Sequence, residues 1–379
     1  MNILKIGRIA ACLILASVLP LSAVTYDDPV QIISPVMSAV GGPHVTMNDG
    51  FSSLLNNPAA FRSAKPEISI AELTTGLKGP VFDIATMLIS SDLSNLPSIM
   101  QGIYAGMDLL GPLSFGYIGN GLGFGIYNST ISSVASSGPL SVTIKMGEEV
   151  AICGGYALRI PLGSSVPQTL NFGMLLKGTF KGLVDFDESA LNILNISTST
   201  ILDEPFDFIS GIGFDMGLRY TYKNIFTAGL VGRDVFSPTL HTLYGSVSSF
   251  MSGAAPTGNS YGIVPFALNA GVMYTPPILD TNSFVSRLRF FADYFDILDF
   301  WLYPSLATNP LLHIGLGADV TILEILNLRA GFYQGLFSAG LGLDLHYFVF
   351  DAAMFGTELS TEPGLHPVYN VQLGVSFRI

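Results

Sequence analysis

Apolar and polar residues alternate one by one along many segments of the chain, and the final segment shows this most clearly. Its apolar positions are Tyr369, Val371, Leu373, Val375, Phe377 and Ile379, and every residue between them is polar or small. This alternating stretch has the length of a tilted transmembrane β-strand. The pattern predicts a strand with one face toward lipid and the other toward a polar lumen.

The same alternation recurs upstream, at 171–180, 213–222, 312–320 and 337–346. Sixteen segments in all are candidate strands, although the short runs 112–118 and 140–146 could instead be loops. Bacterial barrels of this class have an even number of strands. We therefore predict an all-β fold, a transmembrane antiparallel β-barrel of about 14 strands, with 12 to 16 possible.

The amino-acid composition restricts which kind of membrane-spanning structure this chain can form. Hydrophobic residues make up 49% of it and charged residues only 12%, about half the charged share of a soluble domain. Beyond the first 23 residues, no apolar run reaches the roughly 18 residues that a spanning helix requires. Only helices and closed barrels satisfy every backbone group in lipid, so we expect an integral protein of the outer membrane of a diderm bacterium.

The start of the chain has the layout of a secretory signal peptide. Lys5 and Arg8 form a basic region, residues 9–20 an apolar core, and residues 21–23 a small-residue cleavage site. We predict a signal peptide over 1–23 with cleavage after Ala23. The alternative is a lipoprotein signal ending at Cys12, but most of the apolar core would then follow that cysteine.

Charge and cysteine content restrict partners and cofactors. Loss of Lys5 and Arg8 with the signal peptide moves the net charge from −12 to −14, which argues against nucleic acid as a partner. Cys153 is then the one remaining cysteine, so an intramolecular disulfide is impossible. We expect neither a metal nor another cofactor.

Residues 24–65 precede the first convincing strand and do not alternate. They contain Gly-Gly-Pro-His at 41–44 and an apolar run at 48–61 that is interrupted by turn-forming Asn, Gly and Pro. A segment of this kind cannot span the membrane as a strand. We expect it to fold back into the lumen, which divides the mature chain into a plug at 24–65 and a barrel at 66–379.

This N-terminal run resembles that of the outer-membrane long-chain fatty acid transporter family and its relatives, which include the shuttle barrels of type nine secretion. Those proteins carry a glycine-rich start, an acidic turn and an Asn-Pro-Ala motif, matched here by Asp49, Asn57, Pro58 and Ala59. The resemblance continues weakly at 328–332 and 340–344. It implies a fourteen-stranded barrel whose lumen is closed by an N-terminal hatch built on the four matched residues.

The family resemblance implies passive uptake of hydrophobic small molecules such as long-chain fatty acids. Phe51, Leu54, Leu55 and Phe61 are the candidate ligand-pocket residues on the hatch. The competing interpretation is that these four side chains simply pack against the barrel wall. Membrane lipid and a hydrophobic small molecule are therefore the expected partners, together with the barrel-assembly machinery, which would recognise the C-terminal strand.

Two other functions stay open. Residues 182–208 and 234–261 are rich in Asp, Ser, Asn, Gly and Pro and are expected as long loops, which would suit a surface barrel that binds or shuttles a secreted protein, or an adhesin. A general diffusion pore is less favoured, because the polar faces lack opposed charged ladders. Residues 76–101 are expected as either a small amphipathic cap over the barrel mouth or an ordinary packed loop helix.

The sequence argues against enzymatic chemistry. His313 and His346 fall on expected lumen faces, but no serine can be placed beside either of them for nucleophilic catalysis. The glycines at 121–125 and 315–317 lie in alternating strands, so they are expected to let lumen contents approach the wall rather than bind a nucleotide.

Three clustered carboxylates were the remaining candidate for chemistry. Asp185, Asp187 and Glu188 lack the ligand spacing of a calcium loop and are expected in a solvated acidic loop, with a Ca²⁺ loop as the alternative.

Overall fold

A computed structural model describes residues 25–30, 32, 34–80, 104–138, 141–163, 166–189, 196–277 and 284–379. The predicted signal peptide over 1–23 and most of the 76–101 segment lie outside the described residues. Within the described ranges, no helix is long and apolar enough to cross a membrane.

Fourteen antiparallel strands form the wall. In chain order they are β1 (Glu67–Lys78), β2 (Tyr104–Leu110 and Phe115–Gly119), β3 (Leu122–Gly138), β4 (Ser141–Ile160), β5 (Gln168–Ser189), β6 (Phe206–Tyr222), β7 (Phe226–Phe236 and Pro238–Tyr244), β8 (Gly258–Ile263 and Ala267–Tyr274), β9 (Val285–Tyr294), β10 (Ile314–Ile322), β11 (Leu326–Tyr333), β12 (Leu336–Asp344), β13 (Phe348–Glu358) and β14 (Pro367–Arg378). β14 pairs with β1 and closes the sheet. The predicted fold class and strand number are confirmed.

The alternation of the last segment has the predicted orientation. Tyr369 and Leu373 of β14 are more than half exposed on the outer surface, whereas Asn370 and Gln372 are buried on the inner side. Other strands present the same apolar outer face, for example through Leu316, Leu328, Leu341 and Phe350. A closed barrel with a continuous apolar exterior is an integral outer-membrane protein.

The two ends of the barrel differ in their connections. One end has tight turns, such as Asn120–Gly121 and Lys223–Asn224, whose residues have the positive φ angles of two-residue hairpins. The other end carries the longer loops, with helices α2 (Thr198–Asp203), α3 (Val247–Met251) and α4 (Asp299–Leu302). Short turns face the periplasm in this class and long loops face outward, which defines the periplasmic and extracellular ends.

The loops expected at 182–208 and 234–261 are shorter than predicted, because strand occupies 182–189 and 206–208 in the first range and 234–236, 238–244 and 258–261 in the second. β5 continues to Ser189 and β6 begins at Phe206, while β7 reaches Tyr244 and β8 begins at Gly258. These strands rise well beyond the length that crosses a bilayer, about 9–11 residues. Above the bilayer, backbone hydrogen bonds hold the strands together and no apolar outer face is needed. Apolar and polar residues therefore no longer alternate regularly there.

Two short runs that could have been loops are largely strand. Residues 141–146 are the start of β4, which continues through to Ile160, and residues 115–118 belong to β2, directly after a bulge. This bulge occupies residues 111–114: Thr74 pairs with Leu110 before it and Ser69 pairs with Gly116 after it. Pairing between β1 and β2 is interrupted in between.

Candidate functional site: the luminal segment and two cavities

Residues 34–66, here called the luminal segment, lie inside the barrel. They form helix α1 (Pro35–Ala39), which precedes α2 in the chain, and two 3₁₀ turns (Phe51–Ser53 and Pro58–Arg62). Most of their side chains are fully buried against the inner wall. The segment turns sharply at Gly41 and Gly50, where φ is +84° and +63°, values that favour glycine. The predicted division at residue 65/66 lies close to the start of β1 at Glu67.

A set of inward-facing glycines lets the wall contact this segment backbone to backbone. A Cβ at Gly217 would lie 1.9 Å from Oδ1 of Asn57, and one at Gly173 would lie 2.3 Å from the Pro58 carbonyl carbon. Gly317 and Gly331 meet the backbone of residues 40–41 at similarly short range. The expectation that strand glycines admit lumen contents is therefore correct.

Asn57 fastens the Asn-Pro-Ala turn. Its Oδ1 accepts from the Ala59 backbone N–H at 3.0 Å and caps the following 3₁₀ turn. Its Nδ2 donates to the carbonyls of Val45 at 3.0 Å and of Leu218, on β6, at 3.1 Å. One buried amide thus joins the two halves of the luminal segment to the wall.

Two side-chain contacts with acidic or basic groups hold the first half of the luminal segment to β9. His44 Nδ1 pairs with the carboxylate of Asp293, and both side chains are fully buried. Arg289 donates to both oxygens of Asp49, with an Nη1–Oδ1 distance of 3.0 Å, and its Nε donates to Asp319 on β10 at 2.9 Å. Burial raises the pKa of Asp49, but the guanidiniums outweigh it and hold the pKa well below its usual range.

The four candidate pocket residues are buried in the luminal segment. Phe51 stacks on Tyr127 of β3 with ring centroids 4.8 Å apart, and Phe61 and Leu54 pack where Gly123 leaves room. Leu55 lines a cavity on the extracellular side, and Phe51 also borders one on the periplasmic side. Three of the four therefore pack on the wall, and a role in ligand binding remains a prediction for all of them.

The extracellular-side cavity has a volume of about 450 Å³. Its apolar lining includes Ile32, Met37, Leu55, Phe295, Leu336 and Phe355. Arg233 of β7 also lines it: Nη2 donates to the Val30 carbonyl at 3.4 Å, and the buried Nε has no hydrogen-bond partner. In the part of the chain that the structure describes, no carboxylate lies within ion-pair distance of this guanidinium.

The periplasmic-side cavity, about 750 Å³, has a different character. Charged side chains are more numerous in its lining, among them Asp49, Glu67, Arg287, Arg329, Asp351 and Arg378. The luminal segment therefore separates an outer space with few charged groups from an inner space with many.

Sequence reasoning found the matched motif but missed the arginines. The inward position of Arg289 could have been predicted, because Arg289, Phe291 and Asp293 occupy alternate positions of one strand and share its inner face. The position of Arg233 could not, since it lies where the register of β7 shifts against β6 and β8.

The remaining candidate residues, two histidines and a group of carboxylates, lie in turns and in a strand. His313 lies in the 3₁₀ turn Pro310–His313 rather than on a lumen face, and His346 lies in a tight turn with φ +73°. Asp185 and Asp187 lie within β5, so neither loop interpretation of these carboxylates applies. Across the described ranges, no group of three or more His, Cys, Asp or Glu side chains is arranged to hold a metal ion.

Comparisons with known proteins identify relatives by fold alone. No family model matches the chain, and no curated protein matches it in sequence. The toluene transporter TbuX of Ralstonia pickettii superposes with a TM-score of 0.50 at 12% identity, covering 91% of this chain and 97% of that one.

Two further solved structures align over similar lengths. The CymD monoaromatic hydrocarbon channel has a TM-score of 0.48 at 12% identity, covering 93% of this chain and 98% of that one. A Pseudomonas aeruginosa FadL homologue has a TM-score of 0.42 at 11% identity, covering 92% and 98%. The fourteen-stranded wall, the luminal segment and the likeness to TbuX together show that the chain has the fold of this outer-membrane toluene transporter.

Proposed function

We propose that this protein takes up hydrophobic small molecules passively across the outer membrane. The observation that carries the proposal is the cavity of about 450 Å³ on the extracellular side of the luminal segment, whose lining combines apolar side chains with polar ones. Its size falls within the range of about 300–1,000 Å³ that is usual for ligand pockets. TbuX, whose fold this chain resembles, is a toluene transporter, and toluene is a hydrophobic small molecule.

Within that class, Arg233 favours an amphipathic ligand such as a long-chain fatty acid. A half-buried guanidinium without a carboxylate partner is costly. A ligand carboxylate would supply charge-assisted hydrogen bonds to it, and the alkyl chain would occupy the apolar lining. Nearby Lys78 is already paired with Asp108, which leaves Arg233 as the cation for a head group.

We propose release sideways into the bilayer through the wall beside the periplasmic-side cavity, which is lined by Ser69, Glu72 and Thr74 of β1 opposite the bulge in β2. The bulge at 111–114 interrupts the pairing of β1 with β2; it contains Leu113, which is 66% exposed, and the exposed Phe115 follows it. A wall irregularity of this kind offers an exit that keeps the ligand out of water.

Binding of a labelled long-chain fatty acid to the purified barrel tests the substrate. We expect Arg233→Gln to weaken binding about tenfold or more, because it removes charge-assisted hydrogen bonds to the carboxylate. Binding of the corresponding long-chain alcohol should change little, since a hydroxyl does not need the guanidinium charge.

Arg159→Gln is the matched control, because Arg159 is exposed at the periplasmic end of β4. If Arg233→Gln binds the fatty acid as tightly as the unaltered protein does, the head-group assignment is wrong. If the unaltered protein prefers a neutral aromatic hydrocarbon over the fatty acid, the substrate belongs to the class named for TbuX. Failure to bind any hydrophobic probe would contradict uptake itself.

A secreted protein partner, or adhesion, remains the alternative prediction. The specific feature in its favour is the height of β4 to β7, which carry α2 and α3 at their extracellular ends. Capture of the C-terminal strand by the barrel-assembly machinery likewise stays a prediction, and it is supported by the alternating exposed apolar residues of β14.

A further inference from the structure

The loop over residues 295–313 exposes a row of apolar side chains. In helix α4, Phe300 and Trp301 are 68% and 69% exposed, and Leu302 follows them at 48%. Leu306 and Leu311 of the same loop are also exposed. Contiguous exposed apolar side chains of this extent mark a surface that contacts lipid or another molecule.

The base of this loop is firmly held. The Tyr303 hydroxyl accepts from the Phe266 backbone N–H of the β8 region at 3.0 Å, and its ring meets Tyr26 edge to face. Asp299 accepts from the Thr308 N–H at 3.2 Å and lies 3.2 Å from His313 Nε2. The apolar row is thus presented by a fixed scaffold.

Strand length places this loop at the surface of the bilayer. β9 and β10, which it connects, have only 10 and 9 residues, just the length that crosses a membrane at a tilt. By contrast, β5 has 22 residues and carries its loop far above the lipid. The loop over 295–313 therefore begins where the acyl chains end.

The loop is also continuous with the lipid-facing wall. Tyr294 is exposed on the outer face of β9, where it alternates with the buried Asp293. His313 stacks on the Tyr294 ring with centroids 5.5 Å apart, and it contacts Asp299 at the start of α4. The outer face of β9 thus leads directly to Phe300 and Trp301.

Charge is arranged to suit an apolar environment. Residues 295–313 include no Lys or Arg. Their two acids, Asp296 and Asp299, are turned inward, and Asp299 is only 8% exposed. Trp side chains are enriched where a barrel meets the membrane interface, because the ring is apolar and its N–H is polar.

We propose that Phe300, Trp301 and Leu302 enter the acyl-chain boundary of the outer leaflet and anchor this side of the barrel to it. Phe295 and Asp296, at the start of the same loop, line the extracellular-side cavity. The anchor therefore sets one wall of that cavity beside lipid. The proposal does not depend on which ligand the cavity takes.

Trp301 is the one tryptophan of the chain, so its fluorescence reports on this loop directly. The full-length barrel is reconstituted in vesicles of phosphatidylcholine, with and without bromine on the upper acyl carbons. We expect blue-shifted emission, strong quenching by the brominated lipid and little quenching by aqueous iodide.

The matched control moves the probe to the tall side of the barrel. Met251 in α3 is 72% exposed, as Trp301 nearly is, but α3 lies on the long strands β7 and β8. The double variant Trp301→Phe with Met251→Trp should show the opposite behaviour, with quenching by iodide and none by lipid. The proposal fails if Trp301 is quenched by iodide like the control. It also fails if Trp301 is shielded from both quenchers, which would indicate a protein contact with a partner or a second copy.

Discussion

Gly173→Leu should open the lumen to small solutes. A Cβ at this position on β5 would lie 2.3 Å from the carbonyl carbon of Pro58 and 2.4 Å from the Ala59 nitrogen, and both are backbone atoms that cannot rotate away. Overpacking in a tight interior costs about 1–3 kcal/mol or more, and at 3 kcal/mol the seated state of the luminal segment loses more than about a hundredfold in relative population.

Solute flux into liposomes and protease cleavage of residues 34–66 both measure this change. Gly178→Leu is the matched control on the same strand, because its side chain would point to the outer face, where the nearest atom is 3.9 Å away. The intact protein and the control should give little flux. Strong flux in the intact protein would point to an open pore, and unchanged behaviour of Gly173→Leu would refute the plug.

Asp49→Ala should loosen the acidic turn of the luminal segment. Removing one partner of a buried ion pair costs about 3–5 kcal/mol, but Asp319 continues to neutralise Arg289, so we expect about 2 kcal/mol. The largest change should be faster backbone hydrogen exchange over residues 44–52, with smaller effects in the wall strands. Asp203→Ala in α2, which removes an exposed carboxylate, serves as the control. Equal exchange in both variants would show that the Arg289 contact does not hold the segment.

Protonation of Asp49 should weaken its contact with Arg289 only at an unusually low pH. The pKa of Asp49 in the folded barrel lies below its ordinary value of 3.8, so ionised Asp49 is favoured by folding. This stabilisation is fully present above the ordinary pKa and is lost as pH falls toward the lower folded value. The protection factors over 44–52, which are exchange rates corrected for the intrinsic effect of pH, should therefore be unchanged between neutral pH and about pH 5 and should fall only in stronger acid. A fall in these protection factors near neutral pH would indicate that another group controls the segment.

The sequence by itself determined that this chain is a barrel. In lipid the outward residues must be apolar and every backbone group paired. Apolar residues therefore recur at every second position of segments such as 369–379. The sequence also determined that residues 24–65 differ from the wall, because Gly, Asn and Pro interrupt that pattern. The inward glycines at 121–125 and 315–317 were visible as well, although not the atoms that they face.

Only the tertiary structure decided how high the strands rise and which polar groups meet. Above the lipid, pairing is sustained by backbone hydrogen bonds, which leave little trace in side-chain pattern, so the extensions of β5 and β7 were taken for loops. The contacts of Asp49 with Arg289 and of Asn57 with β6 join residues more than 150 positions apart. Arg233 reaches the cavity through a shift of strand register. Periodicity records which side of a sheet a residue faces, whereas register and closure, set by the whole sheet together, decide what it faces there.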